Sequence, residues 1–254
     1  MKKLFIILAV AMAVMSCHRK LEYGFVDESK YKLVWADEFD YQTRDQLLKN
    51  WDSANGPTTH TLCSRWPENV EVGDGTVKLV NHKESRGGQD WTSGSISTKR
   101  DFKYGFYECR YKYAGATGTN NSFWLMSPLG SPEPAEGKRF EIDINEGHYP
   151  HEVNTNIHNW TDQPHQAFHE AFTYEDIDFS QDYHILGLEW TPEEFVFFLD
   201  GKEIRRYKNE FSFSPATVLL SMAVIKWAGE VTDSIDGTYM EVDYVRVYEP
   251  KNVK

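Results

Sequence analysis

The chain has 254 residues, a formal net charge of −12 and three cysteines. So acidic a surface argues against nucleic acid or anionic lipid as a partner and suits neutral or weakly charged substrates, with room for a local basic groove. Aromatic residues make up 15% of the chain, eight of them tryptophan, which fits either a large aromatic core or a cleft that stacks flat sugar faces.

The first segment reads as targeting signal rather than fold. Lys2 and Lys3 precede an apolar run from Leu4 to Val14, and Val14-Met15-Ser16-Cys17 puts a small residue directly before a cysteine. That is the layout of a secretory signal peptide. The cysteine at the cleavage point resembles a bacterial lipoprotein signal, in which residues 1–16 are removed and Cys17 is acylated. The run is too short to span a bilayer comfortably. The expected location is the cell envelope, with membrane contact through the lipid anchor alone, on an outer-membrane, periplasmic or surface face. Residues 17–30 read as a tether and residues 31–250 as one catalytic domain.

From Tyr31 onward, extended segments alternate with turn signals. Leu33-Val34-Trp35 leads into Asp37-Glu38-Phe39-Asp40, and Thr43 to Trp51 offers a helical turn or two. Asn69 to Val72, Gly73-Asp74-Gly75 and Thr76 to Val80 read as a hairpin. From Tyr104 to Lys112, Glu108, Arg110 and Lys112 alternate with Tyr107, Cys109 and Tyr111, a period of two. Asp176 to Ser180 is a second short helical candidate. Phe195 to Leu199, Asp200-Gly201 and Lys202 to Tyr207 form another hairpin, and Val218 to Ile225 and Met240 to Tyr248 close the set. Many short strands with Gly, Pro and Asp turns predict an all-β fold, a β-sandwich in a single domain. Cys63 and Cys109 are free to form a disulfide or to stay apart, and no Cys/His metal spacing occurs.

The most informative stretch is Phe140-Glu141-Ile142-Asp143-Ile144-Asn145-Glu146. Strand periodicity puts Phe140, Ile142 and Ile144 on a buried face, with Glu141, Asp143 and Asn145 opposite, open to a cleft. Carboxylates this close cannot all ionise cheaply, so at least one pKa should rise. A retaining glycosidase needs such an arrangement, with one carboxylate ionised as nucleophile and one protonated as acid. Glu146 has the wrong parity, and a β-bulge after Asp143 is required to return it to the cleft.

Glu-x-Asp-x-x-Glu on a strand resembles the signature of glycoside hydrolase family 16 in its bulged form. Further segments follow in the family's order: Trp35-Ala36-Asp37-Glu38-Phe39, Pro67-Glu68-Asn69-Val70, Tyr104 to Glu108, Phe123-Trp124-Leu125-Met126, Leu188-Glu189-Trp190-Thr191 and Val242 to Tyr248. The resemblance implies a concave jelly roll of two antiparallel sheets. It also implies Glu141 as nucleophile, Glu146 as acid/base and Asp143 as the residue tuning the pair, with no cofactor required for catalysis. By the same resemblance Trp124 lines the cleft and stacks a sugar, and His158 stands beside the acid/base. Trp66, Trp91, Trp160 and Trp227 are further platform candidates, Arg65 and Asn121 are hydroxyl or carboxylate partners, and Trp190 is core. Glu38, Gly75 and Asp243 resemble a structural calcium site.

Laminarinases of the family carry Asn-x-Glu-x-Gln before the Pro-Glu-Asn-Val strand and a Trp shortly before the first catalytic Glu. Here the first region reads Asn55-Gly56-Pro57-Thr58-Thr59-His60, and Pro132 to Arg139 holds no Trp. The expected substrate of this endo-acting enzyme is therefore a galactose-containing chain, a mucin-type O-glycan on glycoprotein or an algal galactan. A β-1,3- or mixed-linkage glucan is the alternative, and a non-catalytic glycan-binding lipoprotein a third reading. The protein is expected to be a monomer.

Overall fold

A computed structural model describes residues 24–128 and 138–251. The signal read over residues 1–16 and the lipidation site Cys17 lie outside them. Eighteen strands follow one another among the described residues. The first nine are β1 (Tyr31–Asp37), β2 (Trp51–Ser53), β3 (Cys63–Arg65), β4 (Val70–Gly73), β5 (Thr76–Val80), β6 (Trp91–Ser93), β7 (Ser95–Phe102), β8 (Gly105–Lys112) and β9 (Thr119–Met126). The rest are β10 (Phe140–His148), β11 (Glu152–Asn159), β12 (Gln166–Ala167), β13 (Glu170–Thr173), β14 (His184–Trp190), β15 (Glu194–Leu199), β16 (Lys202–Lys208), β17 (Ala216–Val224) and β18 (Tyr239–Pro250).

Two eight-stranded antiparallel sheets take up all but β3 and β6. The first runs β16-β15-β14-β8-β18-β5-β4, with β1 also on β18; the second runs β12-β11-β10-β9-β17-β7-β2, with β13 on β11. Strands β3 and β6 form a separate parallel pair. The alternation expected in β8 holds: Tyr107, Cys109 and Tyr111 turn inward and are buried with Val242, Val245 and Val247 of β18. Phe123, Leu125, Ile142, Ile144 and Leu220 of the second sheet meet them in one core cluster. This is the jelly-roll β-sandwich that the pattern predicts. Both expected hairpins turn through positive φ at two consecutive residues, 52° and 73° at Asp74-Gly75 and 49° and 78° at Asp200-Gly201, as a two-residue turn matched to strand twist requires.

The helical turn expected within Thr43 to Trp51 is α1 (Arg44–Leu47), whereas the one expected at Asp176 to Ser180 is corrected to turns. Cys63 and Cys109 are free and buried in different clusters, so they do not bridge. Part of the expected tether is packed: the Phe25 ring meets Phe106 and Phe198, and its N–H donates to Glu108 Oε1 at 3.1 Å. In the expected calcium site, Arg246 Nε donates to Glu38 at 2.8 Å and Arg110 Nη1 to Asp243 at 2.7 Å. Both carboxylates of the expected calcium site thus already face a guanidinium.

Candidate active site

Strand β10 settles the parity question through its register with β9. Glu141 pairs with Met126, Ile142 with Leu125 and Asp143 with Trp124; then the register shifts, so that Asn145 meets Phe123 and Glu146 meets Ser122. One extra residue is accommodated between Asp143 and Asn145, which is a β-bulge. Ile144 and Asn145 are both fully buried, and Glu141, Asp143 and Glu146 come out on the same face.

Asn145 is therefore not on the open face where unbroken alternation placed it. Its Nδ2 donates to the Tyr111 and Tyr113 hydroxyls, both at 2.6 Å, and its Oδ1 accepts from the Asn154 backbone N–H at 3.2 Å. These bonds hold the bulge from inside the sandwich. Gly147 completes it: a Cβ there would stand 2.2 Å from Tyr113 Cζ, so the ring can pass under Glu146 only where no side chain intervenes.

The three carboxyls are not equivalent. Burial, with the Asp143 charge adding to it, pushes Glu141 up to about 8, while the His158 and Trp160 side chains pull the other way. Burial also raises Asp143 well above the usual carboxyl range, reinforced by the charge of Glu146. Burial and the repulsion between neighbouring carboxylates thus both favour the protonated forms of Glu141 and Asp143. Asp143 is the deeper, at 3% exposed, whereas Glu141 Oε2 accepts the Trp160 Nε1–H at 3.0 Å. Of the two, Glu141 is therefore the readier to ionise.

His158 pairs across the ladder with Glu141, and its Nε2 lies 3.2 Å from Asp143 Oδ2. Burial lowers its pKa, so the imidazole is neutral at pH 7. It stands beside the Glu141–Asp143 pair rather than as the hydrogen-bond partner of Glu146. That partner is Asn120, whose Nδ2 donates to Glu146 Oε1 at 2.7 Å. Among the described residues, Glu141, Asp143 and His158 form the group of ligand atoms within 4.8 Å of one another that a metal could use. Two of its members are carboxyls that burial pushes toward their protonated forms, which suits acid–base chemistry.

The other expected site residues divide. Trp124 is half-buried on the open face and donates from Nε1 to Ser221 Oγ at 3.1 Å. Trp160 is 40% exposed and stacks on His165 at 4.0 Å, with the rings 7° from parallel. Trp227, just past β17, is 63% exposed. Arg65 ends β3 and reaches the open face of the second sheet through Ser95.

Asn121 is corrected: it is fully buried, with Oδ1 accepting from the Ala114 N–H at 2.7 Å and Nδ2 donating to the Gly147 carbonyl at 3.0 Å. Trp66 has one ring face covered by the Arg86 guanidinium at 3.8 Å and its N–H committed to Ser64. Trp91 is buried in the second cluster and Trp190 in the main core. Asn120 and His165 escaped the sequence reading. Asn120 shares its parity with Ser122 and Trp124, a signal that was present; the partner of His165 in the stack comes from tertiary contact alone.

Known proteins resemble this chain in sequence and in fold. The family model described as "Glycosyl hydrolases family 16" matches residues 58–246. A β-glucanase of Rhodothermus marinus is 28% identical over 248 residues, covering 86% of this chain and 85% of the relative. A β-glucanase of Acetivibrio thermocellus is 28% identical over 207 residues, 78% of this chain, and the chain spans 58% of that relative's length. Among solved structures, the laminarinase catalytic domain of Thermotoga maritima superposes with a TM-score of 0.74 at 26% identity, covering 87% of this chain and 99% of its own. The matched span is well over half of the sequence and contains the whole carboxylate strand, and the chain belongs to glycosyl hydrolases family 16.

Proposed function

We propose that this chain is a retaining endo-β-glycosidase that cuts β-1,3- or mixed-linked glucan, with Glu141 as nucleophile and Glu146 as acid/base. The register shift after Asp143 carries the reading, because it brings the second glutamate to the face of the first. Glu141 in its ionised form, oriented by the Trp160 N–H, attacks the anomeric carbon, and Glu146 protonates the departing oxygen. Asp143, keeping its proton, spares Glu141 the repulsion of a second charge beside it until the Glu141 carboxylate becomes the neutral ester of the glycosyl-enzyme. Water deprotonated by Glu146 then releases the glycosyl-enzyme with retained configuration.

The substrate part of the proposal follows the relatives, whose names are β-glucanase and laminarinase, rather than the galactose-containing chain expected from the missing motifs. Those missing motifs still mark a cleft whose outer subsites differ from a typical laminarinase. The reading includes Cys17 as a lipid anchor in the cell envelope, which mass spectrometry of the mature N-terminus tests.

Reducing-end assays on laminarin, lichenan, mucin, agar, porphyran and carrageenan, with products sized, test the activity. Glu141→Gln is expected to lose about 10³-fold or more in kcat, and azide is expected to restore turnover to Glu146→Ala on a substrate with a good leaving group. Wild-type rates in Glu141→Gln, or no new reducing ends on any glycan, would end the proposal.

A further inference from the structure

Charges sunk into a protein are normally paired, because a desolvated ion without a counter-ion is costly. Three arginines of the sheets obey this: Arg110 meets Asp243, Arg205 meets Glu170 and Arg246 meets Glu38. Arg65 does not. Its Nη1 donates to Ser95 Oγ at 3.3 Å, its Nε is buried without an acceptor, and no carboxylate among the described residues lies within ion-pair distance. Arg65 is half-buried, and a serine hydroxyl leaves its charge without a counter-ion.

The position of this group is informative. Ser95 pairs with Ser221, Ser221 with Ser122, and Ser122 with Glu146, a single row across β7, β17, β9 and β10. Ser95, the residue that Arg65 is bonded to, is therefore three strands from Glu146 along that row, about 14 Å at ~4.8 Å per strand. That places Arg65 toward a neighbouring subsite rather than at the bond being cut. His60, exposed at this end, feels the charges of both Arg65 and Glu146.

We propose that Arg65 receives an anionic substituent, a carboxylate or a sulfate ester, carried by the glycan on a sugar away from the cleaved linkage. A planar guanidinium with its remaining N–H groups unpartnered matches either anion in bidentate fashion. The inference rests on the cleft assignment above and adds to it the class of decoration that the substrate bears.

Thermal melts in sulfate, glucuronate or chloride at matched ionic strength read the site without any reaction. Sulfate, glucuronate or both are expected to raise the melting temperature of the wild type, less so that of Arg65→Lys, and not that of Arg65→Met. The anion that works identifies the substituent. In turnover, the ratio of kcat/KM for sulfated or carboxymethylated laminarin to that for laminarin is expected to fall about tenfold in Arg65→Met. Equal melting shifts in wild type and Arg65→Met, or a ratio that the substitution leaves unaltered, overturn the proposal. If the wild type cuts none of the laminarins, the glucanase reading fails while the melting result still decides the anion site.

Discussion

Glu141 carries a proton affinity that belongs to its surroundings, and this has a consequence for stability. In the unfolded chain its carboxyl titrates near 4.5, and in the fold near 8. Between those values the folded state binds more protons than the unfolded one, so stability falls as pH rises through the window and the penalty is complete above about 8. Asp143, raised for the same reason, adds to it. Replacing Glu141 by Gln removes one member of the pair at almost no change in shape. Glu141→Gln is expected to melt higher than wild type at pH 8, by at least ~1 kcal/mol or about 2–4 °C, and to lose that advantage near pH 4.5. An equal gain at both pH values, or none at pH 8, would show that the two carboxyls are not paying for burial. Such a trade is expected at a catalytic centre, where function is retained at the expense of fold stability.

At the scale of the strand, the bulge of β10 is held by residues that never touch a sugar. Asn145 ties it to two tyrosines, and Gly147 lets the Tyr113 ring approach. Gly147→Ala forces the ring or the strand to move, with an expected cost of about 1–3 kcal/mol. Because Glu146 is the adjacent residue, kcat is expected to fall about tenfold or more as the carboxyl is displaced. Melting curves and initial rates check this, and a variant that keeps both stability and kcat would show that the tight fit is relieved harmlessly. The strand also shows what a sequence can reveal. Phe140, Ile142 and the two cleft residues Glu141 and Asp143 follow from period two, and the need for a bulge follows from the parity of Glu146. The inward turn of Asn145 does not, because its partners Tyr111 and Tyr113 come from a distant part of the chain. Asn121 belongs to the core, and β9 contains the answer: with Ser122 and Trp124 outward and Phe123 inward between them, position 120 faces the cleft and position 121 the core. Loop residues such as Trp66 and His165 owe their settings to Arg86 and Trp160, which no local period encodes.

At the scale of the whole molecule, the two sheets divide the work. The second sheet carries the carboxylates on its outer face, while on the outer face of the first a patch around Glu108 and Phe106 is covered by the chain's own residues 24–26. There Glu108 is fully buried, accepting from the Phe25 N–H and from the Tyr248 hydroxyl at 3.1 Å each. The Phe25 ring completes a cluster with Phe106, Phe198, Tyr31 and Tyr248, and lies over Gly187 and Gly201, where a Cβ would come within 3.2 Å of it. Burial raises the Glu108 carboxyl, offset by these hydrogen bonds and by Arg246, so removing the cover admits water to a group that the fold has dried. Phe25→Ala keeps the backbone donor and deletes the apolar lid, at an expected cost of about 2 kcal/mol. The cleft lies across the sandwich, with the full thickness of the core between, and kcat/KM at a temperature well below the melt is expected to stay within about twofold of wild type. Thermal melts and initial rates on the same preparation decide it. A large loss of activity without a loss of stability would mean that the two faces are coupled through the core, and that the segment before β1 belongs to the working parts of the enzyme rather than to its packing.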